Sequence, residues 1–226
     1  MVAVSLNNKR TIFDPADVGD AKALLYAPGV VIRDGLQIKT GDITDAVPQV
    51  QEFTKGHPSD SFIYDADGMG APIVKLSLQK EFEAKGLAIM PFYGSAGVDM
   101  PMAQHERLAR PNKDAFLNKR AQSMYRLRER FENTYNAVVR GVYSNPDDLI
   151  SLSSNIPDLQ DLMAELSRPQ RQYKNGMIKV ESKDDMRRRG VASPNLGDCC
   201  HMAFEEPPIQ QAQAPVDIPS MQTAWG

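Results

Sequence analysis

The chain has 226 residues, 42% of them apolar and 24% charged, with a formal net charge of −3. This composition suits one sizeable folded core and excludes a wholly disordered chain. No apolar run approaches the ~18 residues of a membrane helix, and the opening MVAVSLNNKR lacks the order of a secretory signal, so a membrane protein and a secreted one are both excluded as expectations.

Residues 9–13, KRTIF, predict a first strand that runs into DPADVGD. AKALLYAPG predicts a second and VVIRDGLQIKT a third, with a turn at Pro28-Gly29 between them. GDITDAVPQVQEFTKG has helical spacing at Ile43, Val47, Val50 and Phe53, with Asp42 or Thr44 as cap and Pro48 as an awkward guest. The strand SFIYD follows, then a helix over APIVKLSLQKEFEAKG closed by Gly86, then the strand LAIMPFYG. The order β-β-β-α-β-α-β predicts a mixed sheet. Residues 94–113 read as irregular. A long helix is predicted from Lys113 to Val139, because Phe116, Ala121, Met124, Leu127, Phe131, Tyr135 and Val138 recur at three or four. DLQDLMAELSR is a further helix, ended by Pro169. RQYKNGMIKVES is a hairpin, since Asn175-Gly176 suits a type I′ turn. Ser182 caps a short helix KDDMRRR with Asp185 at the reciprocal position, and Gly190 stops it. SPNLGDCCHMAFEE is a final helix. Its neighbours Cys199 and Cys200 are the only cysteines, which fits neither a disulfide framework nor a zinc site and points to a reducing, intracellular setting. From Pro207 onward the composition predicts a flexible tail.

Charge is unevenly spread. Residues 107–140 hold nine basic groups against three acidic ones, and residues 168–190 hold eight against three. A basic face beside an acidic pocket suits a metal-dependent enzyme acting on a polyanion, whereas two solvated helix faces would give the same run. The candidate acids are Asp14, Asp17 and Asp20 after the first strand, Asp65 and Asp67 after the fourth, and Asp198 in the last helix. Carboxylates at neighbouring strand tips can share a hard cation, and a third from a covering helix could complete a two-metal site. Asp17 and Asp20, beside Gly19, read as turn residues. DADGMG fails as a calcium loop, because its fifth position is Met69 and its twelfth Leu76. No GxxxxGK[ST] is present, so no P-loop site is expected. His57 and His105 fall in loops, and His201 reads as a bystander three residues after Asp198.

Taken together, FDPADVGDAKALL, IYDADGMGA and MIKVESKDDMRRRGVASPNLGDCCHMAF resemble the nuclease domain of the large terminase subunit of tailed bacteriophages, over about residues 9–206. The last segment is the most specific; Cys199-Cys200-His201 departs from the small apolar residues common there. The resemblance implies an α/β, ribonuclease H-like fold, with an added β-hairpin, over residues 1–206, and leaves 207–226 as tail. It implies a two-metal endodeoxyribonuclease that cuts concatemeric viral DNA, with Asp14, Asp65 and Asp198 holding two Mg2+ or Mn2+ ions and Asp67 competing with Asp65. Lys183, Arg187, Arg188, Arg189, Arg126 and Arg130 are then candidates for phosphate contacts. The partners implied are double-stranded DNA, the terminase small subunit, the capsid portal and an upstream packaging ATPase domain, in the host-cell cytoplasm. The rival from another class is an inert docking module of the same fold, which would have no reason to bind manganese.

Overall fold

The computed structural model describes residues 8–16, 20–68 and 70–205; Asp17 and the expected tail 207–226 lie outside them. The first three strands are β1 (Lys9–Asp14), β2 (Lys22–Pro28) and β3 (Val31–Ile32), followed by β4 (Asp34–Ile38). The expected single third strand is therefore broken at Arg33. The short β3 leaves the sheet to pair in parallel with β9 (Ser151–Leu152), and β4 returns to β2. Helix α1 (Ile43–Gly56) starts where expected: Asp42 Oδ1 accepts from the Thr44 and Asp45 amides, and the Asp45 carboxylate accepts from the Asp42 amide. Strand β5 (Ser61–Asp65) leads to a helical stretch made of α2 (Ala71–Val74), a π-helical turn (Lys75–Gln79) and α3 (Lys80–Ala84), and then to β6 (Ala88–Phe92).

These strands form one sheet in the order β4-β2-β1-β5-β6, antiparallel on the β4 side of β1 and parallel from β1 to β6. The mixed sheet is the one the element order predicts. The unbroken apolar run of β2 is explained by burial on both faces. Ile12, Leu25 and Ile63 point to one face, Phe13, Leu24, Phe62 and Tyr64 to the other. The second face is covered by α1 through Val50 and by Val74, Leu78 and Phe82 from the next helical stretch.

Residues expected to be irregular contain a small ladder of β7 (Gln104–His105) and β8 (Arg110–Pro111), then α4 (Asn112–Ala115). The long helix α5 (Lys119–Arg140) begins six residues later than its apolar spacing predicts. Phe116 fits that spacing, yet it is extended and forms a bridge with Ile178, and the Leu117 amide donates to the Ile178 carbonyl. Asn118 then caps the helix through the Ala121 amide at 3.0 Å. The remaining elements are α6 (Leu159–Ser167), the hairpin β10 (Arg171–Lys174) and β11 (Met177–Val180), α7 (Lys183–Arg188) and α8 (Asn195–Met202). Asn175 and Gly176 both have positive φ (53° and 79°), as a type I′ turn demands. Helix α8 lies on β1 and β2 between α5 and α6 and is buried along its whole length. Ile12, Leu25 and Ile63 meet its Leu196 and Met202, together with Leu127 of α5 and Leu162 of α6.

Candidate active site

Phe13 of β1 stands beside Tyr64 of β5 in a parallel register. The next residues, Asp14 and Asp65, therefore reach the same level at the carboxyl ends of adjacent strands. Immediately after β1 the chain turns back: Asp14 Oδ1 accepts from the Ala16 amide at 2.8 Å, and Ala16 has φ of 53°. Gly70, the last glycine of DADGMG, closes against this turn. A Cβ there would lie 2.5 Å from the Pro15 Cβ, so only glycine lets the two strand exits approach.

The third acid arrives on α8. Asn195 donates to the Ala21 carbonyl, Ser193 donates to the Asn195 side chain, and Glu165 of α6 accepts from the Gly197 amide at 3.0 Å. These contacts seat the first turn of α8 over the strand tips and aim Asp198 at them. Asp14, Asp65 and Asp198 line one cleft of about 280 Å³. Asp67 lines it too, but both its oxygens are taken by Ser95, from the amide and the hydroxyl, each at 2.7 Å. Asp65 accepts from the Asp67 amide through Oδ1 at 3.0 Å. Asp20 is outside the cleft, paired with Arg187 at 2.7 Å.

The acids are deeply set: Asp14 is 1% and Asp198 3% exposed. Lys183, the first residue of α7, inserts its ammonium between them, 3.4 Å from Asp14 Oδ2 and 3.2 Å from Asp198 Oδ2. Burial alone would lower the Lys183 pKa, but the Asp14, Asp198 and Asp65 carboxylates outweigh it and hold the ammonium charged. The two buried acids divide. Burial, with Asp198 and Asp65 nearby, pushes the Asp14 carboxyl up to about 7 despite Lys183. Burial works the same way on Asp198, yet Arg120, Lys183 and His201 overcome it and hold that carboxyl well below the usual range. Asp65 is raised by burial. Asp14 thus holds its proton more tightly than an ordinary carboxyl, because burial and its acidic neighbours outweigh Lys183.

Hard oxygen donors short of positive charge fit a divalent cation. Asp198 Oδ2 adds to this: it is buried and has no hydrogen bond of good geometry, only the ammonium nearby. Among the described residues, no three Asp, Glu, His or Cys side chains are drawn close enough to hold an ion as they stand. An entering cation would have to take the place of the Lys183 ammonium.

Lys183, a candidate phosphate contact, lies inside the cleft between the acids. Arg189 is spent on the buried Glu181, bonding both its oxygens at 2.7 Å, and on the Arg168 carbonyl. Arg130 donates to the Asp147 and Leu149 carbonyls and stacks 4.3 Å from the Phe204 ring centre. Both arginines are engaged by the chain itself, and the Arg189 side chain remains part-exposed. Arg126 and Arg187 are part-exposed and paired, with Asp99 and with Asp20 and Asp184; Arg188 is 77% exposed beside Asp185. His201 is no bystander. It lines the cleft, with Nε2 3.5 Å from Asp198 Oδ1 and Nδ1 3.0 Å from the Ser123 hydroxyl. Arg120 escaped notice in the sequence, although it donates to Asp198 Oδ1 and to the Glu181 carbonyl, each at 3.1 Å.

No family model and no curated protein matches the chain. Solved structures do. The nuclease domain of the large terminase subunit gp2 of bacterial virus Sf6 is 31% identical over 89% of each chain, with a TM-score of 0.82. The chain belongs to the family of large terminase subunit nuclease domains. A lysine-to-alanine variant of the Sf6 domain, 30% identical over 88% of this chain and 89% of that one, has been solved with manganese, at a TM-score of 0.80. The terminase nuclease of the thermophilic phage G20c, solved with bound magnesium, shares the fold at 10% identity and a TM-score of 0.50, over 87% of this chain and 80% of that one. The terminase nuclease fold is ribonuclease H-like, and the mixed five-stranded sheet with flanking helices and the added β10–β11 hairpin conforms to it. Among the described residues no helix is long and apolar enough to cross a membrane.

Proposed function

We propose that this terminase nuclease domain is a metal-dependent endodeoxyribonuclease that cuts concatemeric viral DNA during genome packaging, with Asp14, Asp65 and Asp198 holding a pair of Mg2+ or Mn2+ ions. The observation that carries the reading is the convergence of three acids, remote along the chain, in one cleft around a single lysine. The manganese and magnesium found in the Sf6 and G20c domains support it. When bound, such ions supply Lewis-acid activation of water and neutralise charge developing at the phosphodiester. The rest is done by the chain itself. Asp198, anchored by α8, stays ionised and presents Oδ2. Asp14, its carboxyl raised by burial, would have to be ionised to hold a cation. Lys183, between Asp14 and Asp198, holds a positive charge beside the carboxylates that would take the ions. Arg126, Arg187 and Arg188, part-exposed or exposed, are the basic groups left to position the duplex by phosphate contacts. The substrate is double-stranded DNA in the host-cell cytoplasm, and the working partners are the small terminase subunit, the capsid portal and a packaging ATPase domain.

Supercoiled plasmid incubated with Mn2+, with and without chelator, tests the reading. Nicking should require the metal and disappear in Asp14→Asn, Asp65→Asn and Asp198→Asn proteins that remain folded, while Asp67→Asn should still cut. Full activity in Asp65→Asn would move that role to Asp67. A wild-type chain that neither binds Mn2+ nor cuts would be a docking module.

A further inference from the structure

The two oxygens of Asp198 are treated differently. Oδ2 faces only the Lys183 ammonium, whose polar contacts among the described residues are the two buried carboxylates. Oδ1 faces His201 at 3.5 Å and the Arg120 guanidinium at 3.1 Å. Arg120 is fixed from several sides. Its other terminal nitrogen donates to the Glu181 carbonyl, its amide donates to the Gly94 carbonyl at 2.9 Å, and its Cβ lies against Gly94. A guanidinium with its fork set by two acceptors has little freedom to leave, whereas a lysine ammonium on four methylenes moves readily.

We infer that Arg120 makes Asp198 a one-oxygen ligand: it keeps Oδ1 for itself and leaves Oδ2 alone to a divalent cation. The inference rests on the metal reading above. Its consequence is ion choice. Calcium takes six to eight oxygens and readily accepts a carboxylate through both, while magnesium demands a compact six-fold shell. Denying the second oxygen therefore disfavours calcium and spares the smaller ions. Arg120 acts here as a positioning residue.

Calorimetric titration of the folded protein with CaCl2 and with MnCl2 separates this from a mere charge effect. Removing a cation in Arg120→Met tightens both ions by simple electrostatics, so the ratio of the two affinities is the quantity to read. Outer partners of metal ligands typically shift affinity by about 10–100-fold, and calcium should gain on manganese by about tenfold or more. Equal tightening of both ions would overturn the inference. If Arg120→Met does not fold, Arg120→Lys is read instead. It keeps the charge, but an ammonium cannot span Oδ1 and the Glu181 carbonyl together, so the ratio should again move towards calcium; an unchanged ratio overturns the inference. A wild-type chain that takes up neither ion overturns the metal reading itself and this inference with it.

Discussion

Replacing Asp14 by Asn should stabilise the metal-free domain, although it removes a carboxylate of the proposed metal site. Asp14 is fully buried in the central strand, and its carboxyl sits at about 7 in the folded chain against an ordinary 3.8. Between those two pH values the folded state holds a proton that the unfolded state has lost. Stability must therefore fall as pH rises across that window. At about 1.4 kcal/mol per pH unit, the full interval amounts to about 4 kcal/mol. Asparagine is the near-isostere of the protonated acid. It keeps the oxygen that accepts from the Ala16 amide and has nothing to ionise. Lys183 retains Asp198 as partner in the variant. A chain of this size gains about 2–4 °C per kcal/mol, so at pH 8 the variant should melt on the order of 10 °C above wild type. The advantage should shrink towards nothing near pH 4. Thermal unfolding in chelator from pH 4.5 to 8.5 measures both. Parallel curves, or a variant that melts lower at pH 8, would refute the assignment of a buried, proton-hungry acid at position 14.

Three further outcomes follow from the same geometry. Because that proton must leave when a cation enters, Mn2+ affinity of the wild-type domain should weaken as pH drops below about 7, read by calorimetry in buffers of different ionisation enthalpy. Gly70→Ala should push a methyl into Pro15, lower stability by about 1–3 kcal/mol and weaken Mn2+ binding, as chemical denaturation and titration would show. At pH 4.5, where burial keeps the Glu165 carboxyl protonated, Glu165→Ala should uncap α8 and cost about 1–2 kcal/mol, while Glu165→Gln, which keeps an acceptor for the Gly197 amide, should recover most of it in chemical denaturation.

What the sequence revealed and what it hid divide along physical lines. Strand and turn signals are local, so the Asn175-Gly176 hairpin, the Asp42 and Ser182 caps and the mixed sheet could be read directly. Asp65 and Asp67 could not be told apart by composition; the structure ends β5 at Asp65 and bonds both Asp67 oxygens to Ser95. The start of α5 could not be read, since Phe116 satisfies helical spacing and is drawn out of it by Ile178, 62 positions away. Charge runs carry no depth. Lys183 and Arg188 sit in the same basic stretch, yet one is wedged in the cleft and the other stands in solvent. Arg120 had no local mark at all, because its partners Glu181 and Asp198 lie far along the chain. His201 did carry a signal: three residues after Asp198 on a helix is the same face.

Cys199 and Cys200 are wholly covered, and burial pushes the Cys200 thiol up to about 12. They ride on the same helix as Asp198. A maleimide or an oxidant can therefore reach either sulfur only after that helix lifts from the sheet. The rate of thiol alkylation is thus a built-in clock for the opening of α8, and any ligand that clamps the cleft should slow it.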